Sequence, residues 1–437
     1  MFSVSESREK AKARNERSSQ FSDFDDKNNL SASPVLVEAI AVDQYIKSSN
    51  ASSTVLETLP SSTLKVSEGN RSRKWPKSLQ QAVVSSFKRK PDEEHTRKFL
   101  NSYHWPSGLI ESFLLTVEKV PIRFFIIDDS GSMNTNDGLK LIGKEGGKDN
   151  KIIGCTRWSE LSDTVIFHAN LAEASKCPTE FRMLNGADPV MVGLGDDNGD
   201  GLSFLTNVMD DSPAGQTPLC EHIEDVVNAI SSIESDLRAG GQRAIVVIAT
   251  DGEASDGNVT AALKPLEKLP VILILRLCTN DEKLVKYWNE VDKQLEVEVD
   301  VLDDICGDGL QVVKVNPWLT YSDSLHKMRE FGAALKEFDL VDEAELTSEQ
   351  MRLLVALLLF DGKKRSVPHP DEDWNKFSTA VTKKMKEQKR LAFDISTRQL
   401  KPIIDMKLLK EIYHDRTAPG RRVAASGGND SAVCTIS

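Results

Sequence analysis

Asp128, Ser130 and Ser132 stand at alternate positions in Asp128-Asp129-Ser130-Gly131-Ser132. One carboxylate and two hydroxyls on a turn opened by a glycine set several hard oxygens around one point. That chemistry suits Mg²⁺ or Ca²⁺. Asp129 alternates with Asp128 and is expected to point away from that point. Two more oxygen-bearing residues occupy comparable places: Thr217, in Pro213-Ala214-Gly215-Gln216-Thr217-Pro218, and Asp251, which opens Asp251-Gly252-Glu253. Read singly, Ser130 and Ser132 could cap a helix and Asp251 sit in a turn. The seven histidines show no metal-ligand spacing, and the six cysteines form no Cys-x-x-Cys pair.

Alternating strands and helices must position these groups. Phe124–Ile127 is an apolar run that ends at Asp128 and reads as a buried strand. Arg243–Thr250 ends at Asp251, and Val271–Leu277 is a third such run. Glu180–Leu184 and Val190–Val192 are shorter candidates, and Val297–Val301 alternates as a half-exposed edge strand does. Helical spacing marks Trp158–Ala174, Leu219–Leu237 with Gly240-Gly241 as its stop, and Glu282–Gln294. Strands alternating with helices predict an α/β fold: a doubly wound, mostly parallel sheet with right-handed crossovers. Loops at the carboxyl ends of its strands gather on one edge, where open α/β sheets bind ligands. Asn134–Thr156 is a polar, Gly- and Lys-rich insertion beside that edge, either a ligand-selecting loop or a plain surface hairpin.

The three loops taken together, Asp-x-Ser-x-Ser, Gly-x-Thr-Pro and Thr-Asp-Gly in that order, resemble the metal-ion-dependent adhesion site of von Willebrand factor A (vWA) domains. The resemblance spans about residues 121–315. It implies a Rossmann-like vWA fold with Mg²⁺ (or Mn²⁺ or Ca²⁺) as cofactor. Ser130, Ser132 and Thr217 would offer hydroxyls to the metal, with Asp128 and Asp251 holding it directly or through water. It also implies a protein partner that offers an Asp or Glu to the open coordination position, and binding rather than catalysis. An extracellular adhesive role is not carried over, since no secretory leader is read at the start of the chain.

Outside that span, residues 1–73 read as a disordered Ser-rich tail in which Val35–Ile46 could form a helix. Residues 74–120 read as a helical hairpin, because Trp75-Pro76-x-x-Leu79 recurs as Trp105-Pro106-x-x-Leu109. Arg71–Lys90 holds seven basic residues and no acidic one, either a solvated linker and helix face or a lipid- or partner-binding patch. Asp196–Gly201 looks like half an EF-hand loop, but Asn207 stands where a bidentate Glu is required, so an acidic turn is expected. Residues 316–415 read as helical: one helix through Leu325, Met328, Leu335 and Phe338, one opened by the capping box Thr347-x-x-Gln350, one along Trp374, Phe377, Val381 and Met385, and a last along Leu400, Ile404, Leu408 and Ile412. These helical flanks are expected to pack on the vWA-like part.

Residues 416–437 read as a flexible tail. It ends in Cys434-Thr435-Ile436-Ser437, a prenylation pattern at Cys434 weakened by Thr435. The net charge of −12 is concentrated after residue 90, which argues against a nucleic-acid partner. Unpaired cysteines and the lack of an apolar span of ~20 residues point to a cytoplasmic protein, touching a membrane peripherally if Cys434 carries a lipid. Two other functions compete. A phosphatase of the haloacid dehalogenase type needs Asp-x-Asp, and Ser130 takes the second place; no esterase elbow or P-loop is present. A ubiquitin-pathway adaptor rests on analogy alone.

Overall fold

A computed structural model describes residues 74–143, 150–186, 188–195, 200–279, 281–297, 299–332, 338, 340–360 and 366–415. The expected tails at 1–73 and 416–437, with the Val35–Ile46 patch and Cys434, lie outside the described residues, as do most of the EF-hand-like run and the middle of the 134–156 insertion.

Three helices come first: α1 (Lys77–Ser86), α2 (Glu93–Ser102) and α3 (Ser107–Lys119). The expected hairpin of two helices is therefore corrected to three. The added helix α2 buries only Thr96 and Leu100, so it has little apolar stripe to reveal it. Its signals are Asp92, whose carboxylate accepts from the amide of His95, and acidic Glu93 and Glu94 in the first turn.

Strand β1 (Ile122–Ile127) then enters the sheet, followed by an antiparallel hairpin of β2 (Gly138–Ile142) and β3 (Lys151–Cys155). The 134–156 insertion is thus built on a hairpin. Next come α4 (Arg157–Ser175), β4 (Thr179–Met183), β5 (Val190–Val192), α5 (Asp200–Met209) and α6 (Leu219–Ala239). After these follow β6 (Ala244–Thr250), α7 (Val259–Leu263), β7 (Val271–Leu277), α8 (Glu282–Lys293), β8 (Val299–Leu302) and α9 (Ile305–Val315). The six-stranded sheet has the order β5-β4-β1-β6-β7-β8. Only β5 runs antiparallel to its neighbour; all other pairs are parallel. Strand β8 lies at the edge and is partly exposed, as its alternation predicts.

Strands β1, β6 and β7 are buried throughout because both faces of the sheet are covered. Phe124 and Ile126 of β1 join a core with Ile223, Val226, Ile230 and Ile233 of α6. Phe125 and Ile127, on the opposite face, join Leu161, Val165 and Ala169 of α4.

The C-terminal part comprises α10 (Asp323–Glu330), α11 (Ser348–Leu359), α12 (Trp374–Gln388), β9 (Ala392–Asp394), β10 (Gln399–Lys401) and α13 (Met406–Lys410). The capping box at Thr347 and Gln350 forms in both directions. The expected last helix from Leu400 to Ile412 is corrected. Leu400 lies in the β9–β10 hairpin, Ile404 bridges to Leu319, and Asp405 caps a helix that begins only at Met406. Pro402 explains the difference, since its ring and missing N–H disfavour helix across it.

These helices pack onto the sheet layer. Phe167 and Leu171 of α4 share one apolar cluster with Phe113 of α3, Phe331, Leu354 of α11 and Phe377 of α12. Helices α3 and α11 touch at Gly108, where a Cβ would fall 2.6 Å from the carbonyl oxygen of Leu357. Among the described residues, no helix is long and apolar enough to cross a membrane.

Candidate functional site

Strands β1 and β6 are adjacent and parallel, with Ile127 opposite Ala249, so the chain leaves both at the same edge. Asp128 follows β1, and Asp251 follows β6. The amide of Asp128 still donates to the Ala249 carbonyl at 2.9 Å, which holds the two loops in register. Thr217 comes to this edge because α6 starts there and runs back to the beginning of β6. Asp256 fixes that start: its carboxylate accepts from the amides of Cys220 (3.0 Å) and Glu221 (2.9 Å) in the first turn of α6.

A chain of hydrogen bonds links four of the five expected residues. The amide of Ser130 donates to Oδ1 of Asp128 at 3.0 Å. Oγ of Ser130 and Oγ of Ser132 lie 3.0 Å apart. Oγ of Ser132 donates to Oδ1 of Asp251 at 2.7 Å. The fifth residue, Thr217, lies against the Asp251 loop: its Oγ1 would sit 3.7 Å from a Cβ on Gly252, and its carbonyl accepts from the Ser255 amide at 2.8 Å. Asp128, Ser130, Thr217 and Asp251 are buried and Ser132 is exposed, so the cluster opens to solvent on the Ser132 side.

Asp129 turns away, as its alternation predicts. Its Oδ1 accepts from the amide (2.8 Å) and Nδ2 (2.9 Å) of Asn185. The same Nδ2 donates to the carbonyl of Gln216 at 2.9 Å, and the Gly131 amide donates to the Gly215 carbonyl at 3.2 Å. Gly215 has φ +104, and a Cβ there would fall 2.4 Å from Oδ1 of Asn185. Only glycine meets both the left-handed conformation and that close approach. Asn185 and Gly215 thus fasten the Thr217 loop to the β1 loop.

Burial pushes the carboxyls of Asp128 and Asp129 above the usual carboxylate range. At Asp128 the Ser130 contact and the Thr250 hydroxyl, donating to Oδ2 at 2.6 Å, oppose that rise.

Two residues at the site lie outside the sequence expectation. Thr250 opens the Thr-Asp-Gly motif in the sequence but carries no site role there. Arg157 is the first residue of α4, and its Nη1 donates to Oδ2 of Asp251 at 2.8 Å. A cation in the first turn of a helix opposes the macrodipole, and that was the signal available for Arg157 in the sequence.

No protein-family model matches this chain, and no curated protein matches it. The chemistry of the site therefore rests on its own geometry.

The donor set can be tested against a small divalent cation. With Mg–O distances of 2.0–2.1 Å, neighbouring oxygens of an octahedron lie about 2.9 Å apart. The Ser130–Ser132 and Ser132–Asp251 oxygens, at 3.0 and 2.7 Å, have that spacing, although it also serves a hydrogen bond. Hydroxyls and carboxylates are hard donors, so all five residues fit such an ion in kind, and Ser130, Ser132 and Asp251 fit it in spacing. Among the described residues, no group of three or more His, Cys, Asp and Glu side chains is placed to hold a metal. The candidate set differs from such a group, since three of its five members are hydroxyls.

Proposed function

We propose that this edge is a divalent-cation site of the vWA type, with which the chain captures a carboxylate of a protein partner. The reading rests on three separate loops ending at one edge: the Ser130–Ser132–Asp251 contacts join the β1 and β6 loops, and the Asn185–Gln216 and Gly131–Gly215 hydrogen bonds fasten the Thr217 loop beside them. Ser130, Ser132 and Thr217 contribute hydroxyls, and Asp128 and Asp251 contribute the negative charge. Mg²⁺, Mn²⁺ or Ca²⁺ bound there would supply a Lewis-acidic centre for an Asp or Glu from outside. Thr250 orients Asp128 through Oδ2, and Asn185 keeps Asp129 out of the set. The exposed Ser132 side is the route by which a partner side chain reaches the cluster.

The role is binding rather than turnover, in a protein of the cytoplasm. The test is Mg²⁺ and Mn²⁺ titration calorimetry on the full chain, wild type beside Asp128→Ala. Saturable binding in the wild type that the variant lacks supports the reading. Equal binding by both proteins, or none by the folded wild type, rejects it.

A further inference from the structure

Arg157 reaches the cluster through a fixed local frame. Thr156 caps α4 by accepting from the Ser159 amide at 3.1 Å, and the Arg157 amide donates to the Thr135 carbonyl at 3.1 Å. Strand β3 ends one residue earlier, and at the other foot of the hairpin Gly138 lies so close to Thr156 that a Cβ would meet its carbonyl oxygen at 3.0 Å. The hairpin insertion and the entry into α4 are therefore one packed unit.

The guanidinium is held on two sides. Nε and Nη2 donate to the two carboxylate oxygens of Asp137 at 2.7 and 2.6 Å, a bidentate fork. Nη1 donates to Oδ2 of Asp251 at 2.8 Å. The Arg157 side chain is only 11 % exposed and that of Asp251 is fully buried. Each oxygen of Asp251 thus has a donor: Ser132 on Oδ1 and Arg157 on Oδ2.

We propose that Arg157 is a built-in competitor for the cation. By holding Oδ2 of Asp251 and placing a positive charge beside the oxygen cluster, it sets the divalent-ion concentration at which the site fills. The inference rests on the metal-site reading above and deepens it. Three observations carry it. The guanidinium contacts a carboxylate that the cation would share. Asp137 prevents it from swinging freely into solvent. It sits at a helix N-terminus, where the macrodipole offers a cation no compensation, so the two carboxylates account for its position. Asp137 belongs to the segment leading into the hairpin, which makes this insertion the tuner of the site.

The test measures Mn²⁺ binding to the full chain by calorimetry and by the electron paramagnetic resonance signal of free Mn²⁺. The proteins are wild type, Arg157→Gln, Arg157→Lys and Asp128→Ala, each checked for folding by thermal melting. Arg157→Gln is expected to bind Mn²⁺ at least about tenfold more tightly than wild type, since removing one neighbouring charge has that size even in bulk water and this pair is less screened. Arg157→Lys keeps the charge and is expected within about threefold of wild type. Arg157→Gln affinity equal to or weaker than wild type would overturn the competitor role while leaving the metal site standing. Absence of binding in both wild type and Arg157→Gln would instead remove the metal reading itself.

Discussion

Ser132 and Asp251 stand 119 positions apart in the chain, and a 2.7 Å hydrogen bond joins their side chains. The bond crosses from the loop after β1 to the loop after β6. It exists because those strands are parallel neighbours that end together. The same adjacency brings the Thr250 hydroxyl to Oδ2 of Asp128 at 2.6 Å.

Asp128 is buried, and its charge is costly without a cation. Asp128→Asn is therefore expected to leave the melting temperature of the cation-free protein unchanged or raise it. The gain in melting temperature on adding Mg²⁺ should vanish in the variant. For wild type at a concentration 100 times Kd, that gain corresponds to about 2.7 kcal/mol. Differential scanning fluorimetry with and without Mg²⁺ reads both effects, and an undiminished shift in Asp128→Asn counts against this ligand assignment.

Gly215→Ala places a Cβ at φ +104 against Asn185. The Asn185 contacts to Asp129 and Gln216 must then give way, and the Thr217 loop moves. The expected cost is about 1–3 kcal/mol of stability, together with weakened cation binding. Urea unfolding and Mn²⁺ titration measure the two losses. Unaltered values for both would mean that the loop is not fastened here.

A buried ionic cluster joins the sheet to α10. Glu330 accepts from Nε of Arg276 at 3.0 Å and contacts Nε2 of His168 at 3.3 Å. Nε2 of His326 lies 3.2 Å from it, an ion-pair distance without hydrogen-bond alignment. Nδ1 of His326 is 3.3 Å from Asp308. Burial alone would push His326 down, but Glu330 and Asp308 outweigh it and hold the pKa up at about 9. A raised histidine pKa stabilises fully below the unfolded value of about 6.5, and that stabilisation is lost as pH rises through the folded value. The melting temperature is therefore expected to fall between pH 6.5 and pH 9.5, and His326→Gln should flatten that slope. His168, pushed down mainly by burial, acts with the opposite sign, at the acid end of the profile. Among the described residues, a Glu330→Ala variant leaves Arg276 with Glu160 as its one ion-paired carboxylate, and a loss of about 3–5 kcal/mol is expected in chemical denaturation.

Helices α3 and α11 approach backbone to backbone at Gly108. An alanine there would meet the Leu357 carbonyl oxygen at 2.6 Å and Leu358 backbone atoms at 2.6 and 2.7 Å. Backbone cannot yield as a flexible side chain does, so Gly108→Ala must separate the helices. The expected destabilisation is about 1–3 kcal/mol. Urea denaturation should show a lower midpoint, and hydrogen exchange should place the loss of protection at α3 and α11. A variant as stable as wild type would show that this contact adapts freely.

Much of the architecture was legible in the chain because its signals are local. The run Phe124–Ile127 and the stretch before Asp251 announce buried strands by composition alone. The stripe from Leu219 to Leu237 announces α6, and Thr347 with Gln350 announces the start of α11. The order of the Asp128, Thr217 and Asp251 loops was legible for the same reason, since each loop directly follows or precedes an element with a clear period. Weakly apolar α2 and the β9–β10 hairpin were not legible. Their stability comes from neighbours distant in sequence, and the spacing of Leu400, Ile404 and Leu408 fitted a helix that Pro402 disfavours.

Hydrophobic period and turn chemistry, encoded residue by residue, fix which oxygen-bearing side chains stand at strand ends and helix starts. Which of them touch follows from the packing of strands and loops. Strand order set Ser132 against Asp251, and the foot of a hairpin brought Arg157 to the same carboxylate. The charged residues on interior strands, Arg123, Arg182 and Arg276, draw most of their partners from long-range packing: Arg182 meets Asp225 as well as Glu180 two positions earlier on its own strand, Arg276 meets Glu160 and Glu330, and Arg123 lies against the carbonyl and ring of Phe331. A buried charge needs a partner, and where the fold brings that partner from a distant element no periodicity in the chain names it.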